Sequence, residues 1–220
     1  MCSCMISVIV CVGRDIRFLG KALESIRQQT RMVDELVIVA AETTPNAVAN
    51  VIDGFAPNIF ETQSEPGLAA ARNLGVSLAS GEVITFLDAD DLWTPQKTEI
   101  QAECLNRQRP IVLGNLRRFP DDVSSERDFP SGFFTQDQAA MTPGGIMISR
   151  AELERLGPFS THYTVASDHE WFVRLRRSDA VVHRLNEVVL EKRIHTENLS
   201  HKVALYRKEI MDMLRSGRQN

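Results

Sequence analysis

Along the first half of the chain, short apolar runs alternate with stretches of helical periodicity. MISVIVCV (5–12), ELVIVA (35–40), NIFET (58–62), EVITFL (82–87) and PIVLG (110–114) read as strands. Between them lie FLGKALESIRQQ (18–29), NAVANVID (46–53) and GLAAARNLGVSLASG (67–81). In the first helical stretch Phe18, Leu19, Ala22, Leu23 and Ile26 recur at 3.6-residue spacing, which lays one stripe on a sheet. The strand runs are apolar on both faces, as strands covered by helices on both sides must be. This alternation predicts an α/β fold with a mostly parallel, Rossmann-like central sheet and helices on both faces.

The second half is less regular. A helix is expected from TPQK to about Arg107, with Thr94 as its N-cap and Pro95 in its first position. The stretch 117–142, containing FPDDVSSERDFPSGFF, is too long for a plain connector and reads as a functional loop or lid. GGIMISR (144–150) is a glycine turn into a strand, RAELERLG a helix stopped by Gly157-Pro158, SDHEWFVRLRRS (167–178) a helix and EVVLEKRI (187–194) a last strand. The tail sets Val203, Tyr206, Ile210, Met213 and Leu214 on one helical face. Such a helix packs on its own domain, docks on an anionic membrane or forms a homodimer contact. With neither repeat nor linker, one domain over 1–220 is expected.

Composition narrows the function. The 220 residues are 43% hydrophobic and 25% charged, which excludes disordered and low-complexity classes. A net charge of −4 provides no basic field, so nucleic acid is set aside as a partner. No apolar run approaches the roughly 20 residues of a membrane helix and no secretory leader is visible, so a cytoplasmic protein without a transmembrane segment is expected. Cys2-x-Cys4 has no second pair at zinc-ligand spacing, and Cys11 and Cys104 read as buried thiols.

Four places could carry chemistry. The strand EVITFL delivers Asp88, Asp90 and Asp91 beyond its carboxyl end, where open α/β sheets bind ligands. Three carboxylates so close need a cation or donors, and oxygen ligands suit Mg²⁺ or Mn²⁺; the alternative is a solvated turn in which Asp91 caps the next helix. Arg72 and Asn73 offer directional donors, unless Arg72 merely covers apolar surface. Asp168 opens a helix whose dipole keeps a carboxylate ionised, with Trp171 and Phe172 as an apolar wall; a plain helix-start aspartate reads the same way. His195 follows the last strand and could complete a metal shell, although His162, His169, His183 and His201 compete with it on sequence.

GLAAARNLGVSLASGEVITFLDADDLWTPQK resembles the nucleotide-sugar half of family 2 glycosyltransferases, with their ARN-x-G helix, A-x-G-E turn and strand ending L-D-x-D-D. ISVIVCVGRDIRFLGKALESIRQQT is similar to that family's first strand and helix, and GGIMISRAELERLGPFSTHYTVASDHEWFVRL to its acceptor-side segment. The resemblance spans roughly 5 to 201. It implies a GT-A fold divided into a donor half (1–115), an acceptor-side half (116–201) and a C-terminal amphipathic helix (202–220). It also implies metal-dependent transfer of one sugar, with inversion, from a nucleoside diphosphate sugar to a glycan, lipid-linked or protein acceptor. By position Asp168 would be the base, Asp90 and His195 metal ligands, and Val10, Arg72, Asp88, Asp91, Gly145 and Trp171 substrate or nucleotide contacts. Two departures stand out: Ala40 and Ala41 replace the usual base-contacting aspartates, and CVGRD replaces the usual Pro-Thr-Tyr-Asn. They motivate a second reading, a catalytically weak nucleotide- or glycan-binding protein. The Gln-x-x-Arg-Trp motif of processive synthases is not in the sequence.

Overall fold

Period-2 burial of the first strand decides where everything else sits. In β1 (Ile6–Val12) Val8, Val10 and Val12 enter one core cluster, and Ile9 and Cys11 the other. The structure, a computed structural model, describes residues 4–121, 129–195 and 203–216. β1 pairs in parallel with β2 (Glu35–Ala40) and β4 (Val83–Asp88), and β2 with β3 (Ile59–Thr62), giving the order β3-β2-β1-β4. α1 (Leu19–Arg27) and α2 (Pro45–Ile52) cover the Val8 face, and α3 (Leu68–Leu78) covers the Ile9 face. Gly75 permits that last contact, because a Cβ there would stand 2.3 Å from Ile9 Cγ2.

Beyond β4 follow β5 (Leu92–Trp93), α4 (Lys97–Cys104), β6 (Ile111–Pro120), β7 (Gln138–Ala139), β8 (Ile146–Ser149), α5 (Arg150–Leu156), α6 (Ser167–Arg177), β9 (Val182–Ile194) and α7 (Val203–Ser216). β8 lies antiparallel between β4 and β6, β6 pairs in parallel with β9, and β5 is antiparallel to β9. The sheet is therefore mixed: the long ladders are parallel, as expected, and the antiparallel ones are the short pairings of β5, β7 and β8. The physical reason is the connection before β8: parallel neighbours need a crossover, usually helical, and the chain before β8 returns through β7, itself antiparallel to β6.

The expected helix at Thr94 starts later, at Lys97, and Thr94 is not its cap. Thr94 Oγ1 donates to the Val188 carbonyl at 2.9 Å, and the Pro95 carbonyl accepts from Thr30 N–H at 2.9 Å, so both are spent on tertiary contacts. β6 runs past its apolar core because Arg117 and Arg118 stay paired to Glu191 and Lys192 of β9, and β9 starts earlier than expected because His183 and Arg184 pair with Val112 and Leu113 in that core. The irregular stretch thus begins as strand and ends in β7; residues 122–128 of it lie outside the described residues, as do Cys2 and His201. Cys11 is buried, whereas Cys104 is only half-buried. α7 lies against the start of α6 through Glu209 and Tyr206, and Leu214 of its expected apolar stripe is 54% exposed.

Candidate active site

The acidic turn is assembled by strand pairing. Asp88 ends β4, and the turn is closed by Asp91 N–H donating to the Asp88 carbonyl at 3.2 Å. β5 then pairs antiparallel with β9, Leu92 opposite Glu191 and Trp93 opposite Leu190. That register brings the end of β9 alongside the turn. Asp91 is 1% exposed; its Oδ2 accepts from Lys192 Nζ at 3.0 Å and its Oδ1 from Arg193 N–H at 2.9 Å. Arg193 Nε donates to the Asp90 carbonyl at 3.0 Å, and its guanidinium lies over the rings of Phe18 (4.2 Å) and Phe119 (4.5 Å). His195 Nε2 stands 3.0 Å from Asp90 Oδ2, with Phe18 beside its ring.

The other side is built on α3 and α6. Arg72, 1% exposed, donates through Nη2 to Asp88 Oδ1 at 2.7 Å and through Nη1 to Asp168 Oδ1. One guanidinium thus ties the end of β4 to the first turn of α6. The neighbouring Asn73 exchanges two hydrogen bonds with the backbone of Phe159, at 2.8 and 2.9 Å, which fixes the segment leading to α6. α6 itself is held by Trp171, Phe172 and Leu175 in the core. Among the described residues, Oδ2 of Asp168 takes no hydrogen bond.

Burial and charge separate the carboxylates. Burial pushes Asp88 up, but Arg72 and Lys192 outweigh it and hold the group below the usual carboxylate range. Burial raises Asp168 too, with Asp88 adding to it, and here Arg72 and Lys192 do not cancel the rise. Two carboxylates on one arginine are pushed in opposite directions, the pattern by which sites divide ionised from proton-accepting roles. Asp91 is pushed to about 7, chiefly by burial, while Lys192 is raised because Asp91, Asp88 and Asp90 outweigh its own burial. The Cys11 thiol is pushed to about 12 by burial.

The structure brings together Arg72, Asp88, Asp90, Asp91, Asp168 and His195. It does not present Val10, Gly145 or Trp171 as side chains open to a ligand. Val10 is fully buried within β1. Gly145 is buried, a Cβ there would stand 2.1 Å from that of Ala140, and its carbonyl accepts from Gln101 Nε2 at 2.9 Å. Trp171, 2% exposed, donates to the Gly157 carbonyl at 3.2 Å and stacks on Phe159. Asp91 also faces inward, toward β9. His169 lies 3.3 Å from the Tyr206 hydroxyl, His162 packs on Tyr163, and His183 sits opposite Val112. The sequence reading passed over Lys192 and Arg193. Their signal was present: three clustered carboxylates need counter-charges, and EKRIH supplies two cations three and two residues before the histidine.

The sequence model of the family described as glycosyl transferase family 2 matches residues 7–153, well over half of the chain. The chain belongs to glycosyl transferase family 2. The match takes in Arg72, Asp88, Asp90 and Asp91, whereas Asp168 and His195 lie beyond it. This family 2 chain is 38% identical over 98 residues to an uncharacterized glycosyltransferase of Nostoc sp., covering 43% of this chain and 30% of that protein. It is 28% identical over 203 residues to a PGL/p-HBAD biosynthesis glycosyltransferase of Mycobacterium bovis, covering 86% and 77%. The chain spans only 30 to 40% of its Nostoc, Streptococcus pneumoniae and Bacillus subtilis relatives. Among solved structures, TarS 1–349 of S. aureus in complex with UDP-GlcNAc aligns with TM-score 0.68 and 16% identity over 89% of this chain and 60% of that one. A mannosyltransferase of Pyrobaculum calidifontis in complex with GDP-Man and Mn²⁺ aligns with TM-score 0.69 and 19% identity over 99% and 65%. These likenesses show the fold: the α/β architecture is that of GT-A glycosyltransferases.

Proposed function

We propose that this family 2 chain transfers a single sugar, with inversion, from a nucleoside diphosphate sugar to an acceptor hydroxyl on a glycan, lipid-linked or protein acceptor. The observation that carries the reading is the convergence of four elements on one acidic turn, with Arg72, Asp88 and Asp168 on one side and Asp90 with His195 on the other. Arg72 holds Asp168 by Oδ1 and so orients Oδ2 for an acceptor hydroxyl. The raised proton affinity of Asp168 suits it to take that proton as the oxygen attacks, contributing about 10²- to 10⁴-fold. Asp88, kept ionised, accepts hydrogen bonds from ribose or sugar hydroxyls. Asp91, with Lys192 and Arg193 N–H, sets the turn that aims Asp90.

A carboxylate oxygen and an imidazole nitrogen at one point fit a divalent cation, Mn²⁺ or Mg²⁺. Among the described residues no group of three or more His, Cys, Asp or Glu side chains is placed to hold one. Asp90 and His195 would therefore hold the cation together with donor phosphate oxygens and water. When bound there, the cation neutralises the charge of the diphosphate leaving group. The UDP-GlcNAc and GDP-Man/Mn²⁺ complexes of structural neighbours support this reading. No helix among the described residues is long and apolar enough to cross a membrane.

The test is thermal unfolding with UDP, GDP, TDP, CDP or ADP, each with and without Mn²⁺. At 100 times Kd a ligand stabilises by about 2.7 kcal/mol, or roughly 5–10 °C for a chain of this size. One nucleotide should give a metal-dependent shift that Asp90→Ala abolishes. Asp168→Asn should retain the shift and lose transfer. A second reading, a nucleotide- or glycan-binding protein without transfer, is favoured by Ala40, buried at the end of β2, and Ala41. It prevails if neither the parent nor Asp168→Asn transfers sugar from the nucleotide sugar identified by the shift.

A further inference from the structure

We infer that Glu209, on α7, is a positioning residue that holds the candidate base Asp168 in place from outside the site; this rests on reading Asp168 as the base. The first turn of any helix has N–H groups without intrahelical acceptors. α6 has Ala166 as its N-cap, which offers no side-chain acceptor. Glu209 supplies one from another element, for the N-cap amide itself and for the two amides that lead into it, and not for the amides of the first turn. Its Oε1 accepts from Thr164 N–H at 2.8 Å, and its Oε2 from Val165 N–H at 3.0 Å and Ala166 N–H at 2.8 Å. Three successive amides form an anion-binding concavity, and Asp168 lies two residues past the last of them.

Glu209 is only 8% exposed, and a buried charge is costly unless hydrogen-bonded. Burial raises its proton affinity, but the three amides outweigh that and keep it ionised. One turn earlier on α7, the Tyr206 hydroxyl lies 3.3 Å from His169 Nδ1. α7 therefore grips the chain two residues before Asp168, at Ala166, and at the next residue, His169. Apolar packing alone would let a surface helix slide; three directional bonds to one carboxylate fix its register against α6.

The test is Glu209→Gln, in which one acceptor oxygen becomes an NH₂ donor, so the three amides cannot all be satisfied. Nucleotide release from UDP-GlcNAc and from GDP-mannose is measured with Mn²⁺, together with urea unfolding of Glu209→Gln, Asp168→Asn and the double variant. Displacing a catalytic group by even 1 Å can cost about 10²-fold, so kcat should fall by roughly tenfold or more while KM for the donor stays within about twofold. In the Asp168→Asn background Glu209→Gln should lower the residual rate no further. An unchanged kcat, or a fall that persists in that background, overturns the proposal. If Asp168→Asn itself releases nucleotide at the parent rate, the reading of Asp168 as base is what fails. Where neither donor is turned over, the unfolding cycle decides: non-additive free energies support the coupling and additive ones overturn it. If Glu209→Gln does not fold, Glu209→Asp, which keeps both oxygens on a shorter stem, takes its place.

Discussion

Replacing Arg72 by methionine keeps the stem and removes the one cation shared by Asp88 and Asp168. The two carboxylates are 19% and 26% exposed while the arginine is 1% exposed, so the pair lies between a surface and a fully buried bridge. Breaking a buried pair costs about 3–5 kcal/mol, and the partial exposure points to the lower end. At about 2–4 °C per kcal/mol for a chain of this size, a loss of about 3 kcal/mol lowers Tm by roughly 6–12 °C. The pH dependence follows from the sign of the shift. Without Arg72 both carboxyls have folded pKa values above their unfolded values, so the folded state binds more protons and stability falls as pH rises through the folded values. The loss should therefore be larger at pH 8 than at pH 5. Urea unfolding at both pH values measures it, and adding Asp168→Asn should recover part of the loss by removing one of the two facing charges. A cost below about 1 kcal/mol, the range of an exposed pair, or a cost equal at both pH values would refute the argument.

Two other substitutions test the surrounding frame. Asp91 has a folded pKa of about 7, raised chiefly by burial, so it costs stability as pH rises from about 4 to 7; Asp91→Asn should flatten the stability profile over that window, as read by urea midpoints. Gly75→Ala places a methyl 2.3 Å from Ile9 Cγ2 and should cost about 1–3 kcal/mol by overpacking, with donor-site nucleotide affinity falling because Arg72 lies one turn away. Thermal unfolding and nucleotide titration check both parts.

β1, β2 and β4, buried on both faces, left a plain trace in the sequence and lie within a residue of where their apolar runs place them; β3 does too, although it is a half-exposed edge strand. The antiparallel insertion of β8 left no such trace, because strand direction depends on the path of the connection and not on the strand's own residues. β5 was missed because two residues carry no periodicity; yet those two set the register that brings Lys192, Arg193 and His195 to the acidic turn. Asp88, Asp90 and Arg72 were legible as a motif. That Asp91 turns inward was not, since a local pattern does not say which of three adjacent carboxylates meets a lysine 101 residues away. Trp171 illustrates the converse: its side chain, three residues after Asp168, is packed in the core and holds the helix that carries that carboxylate.

Each carboxylate of the acidic turn has a counter-group drawn from elsewhere in the chain: Arg72 for Asp88, His195 for Asp90 and Lys192 for Asp91. Carboxylates already partnered by side chains of the same chain do not wait for an ion in order to fold, unlike the ligand sets of metal-dependent mini-domains. Chelation should accordingly leave the melting temperature of the donor-free protein untouched, and a cation held by Asp90 and His195 as proposed would arrive and leave with the donor's phosphates.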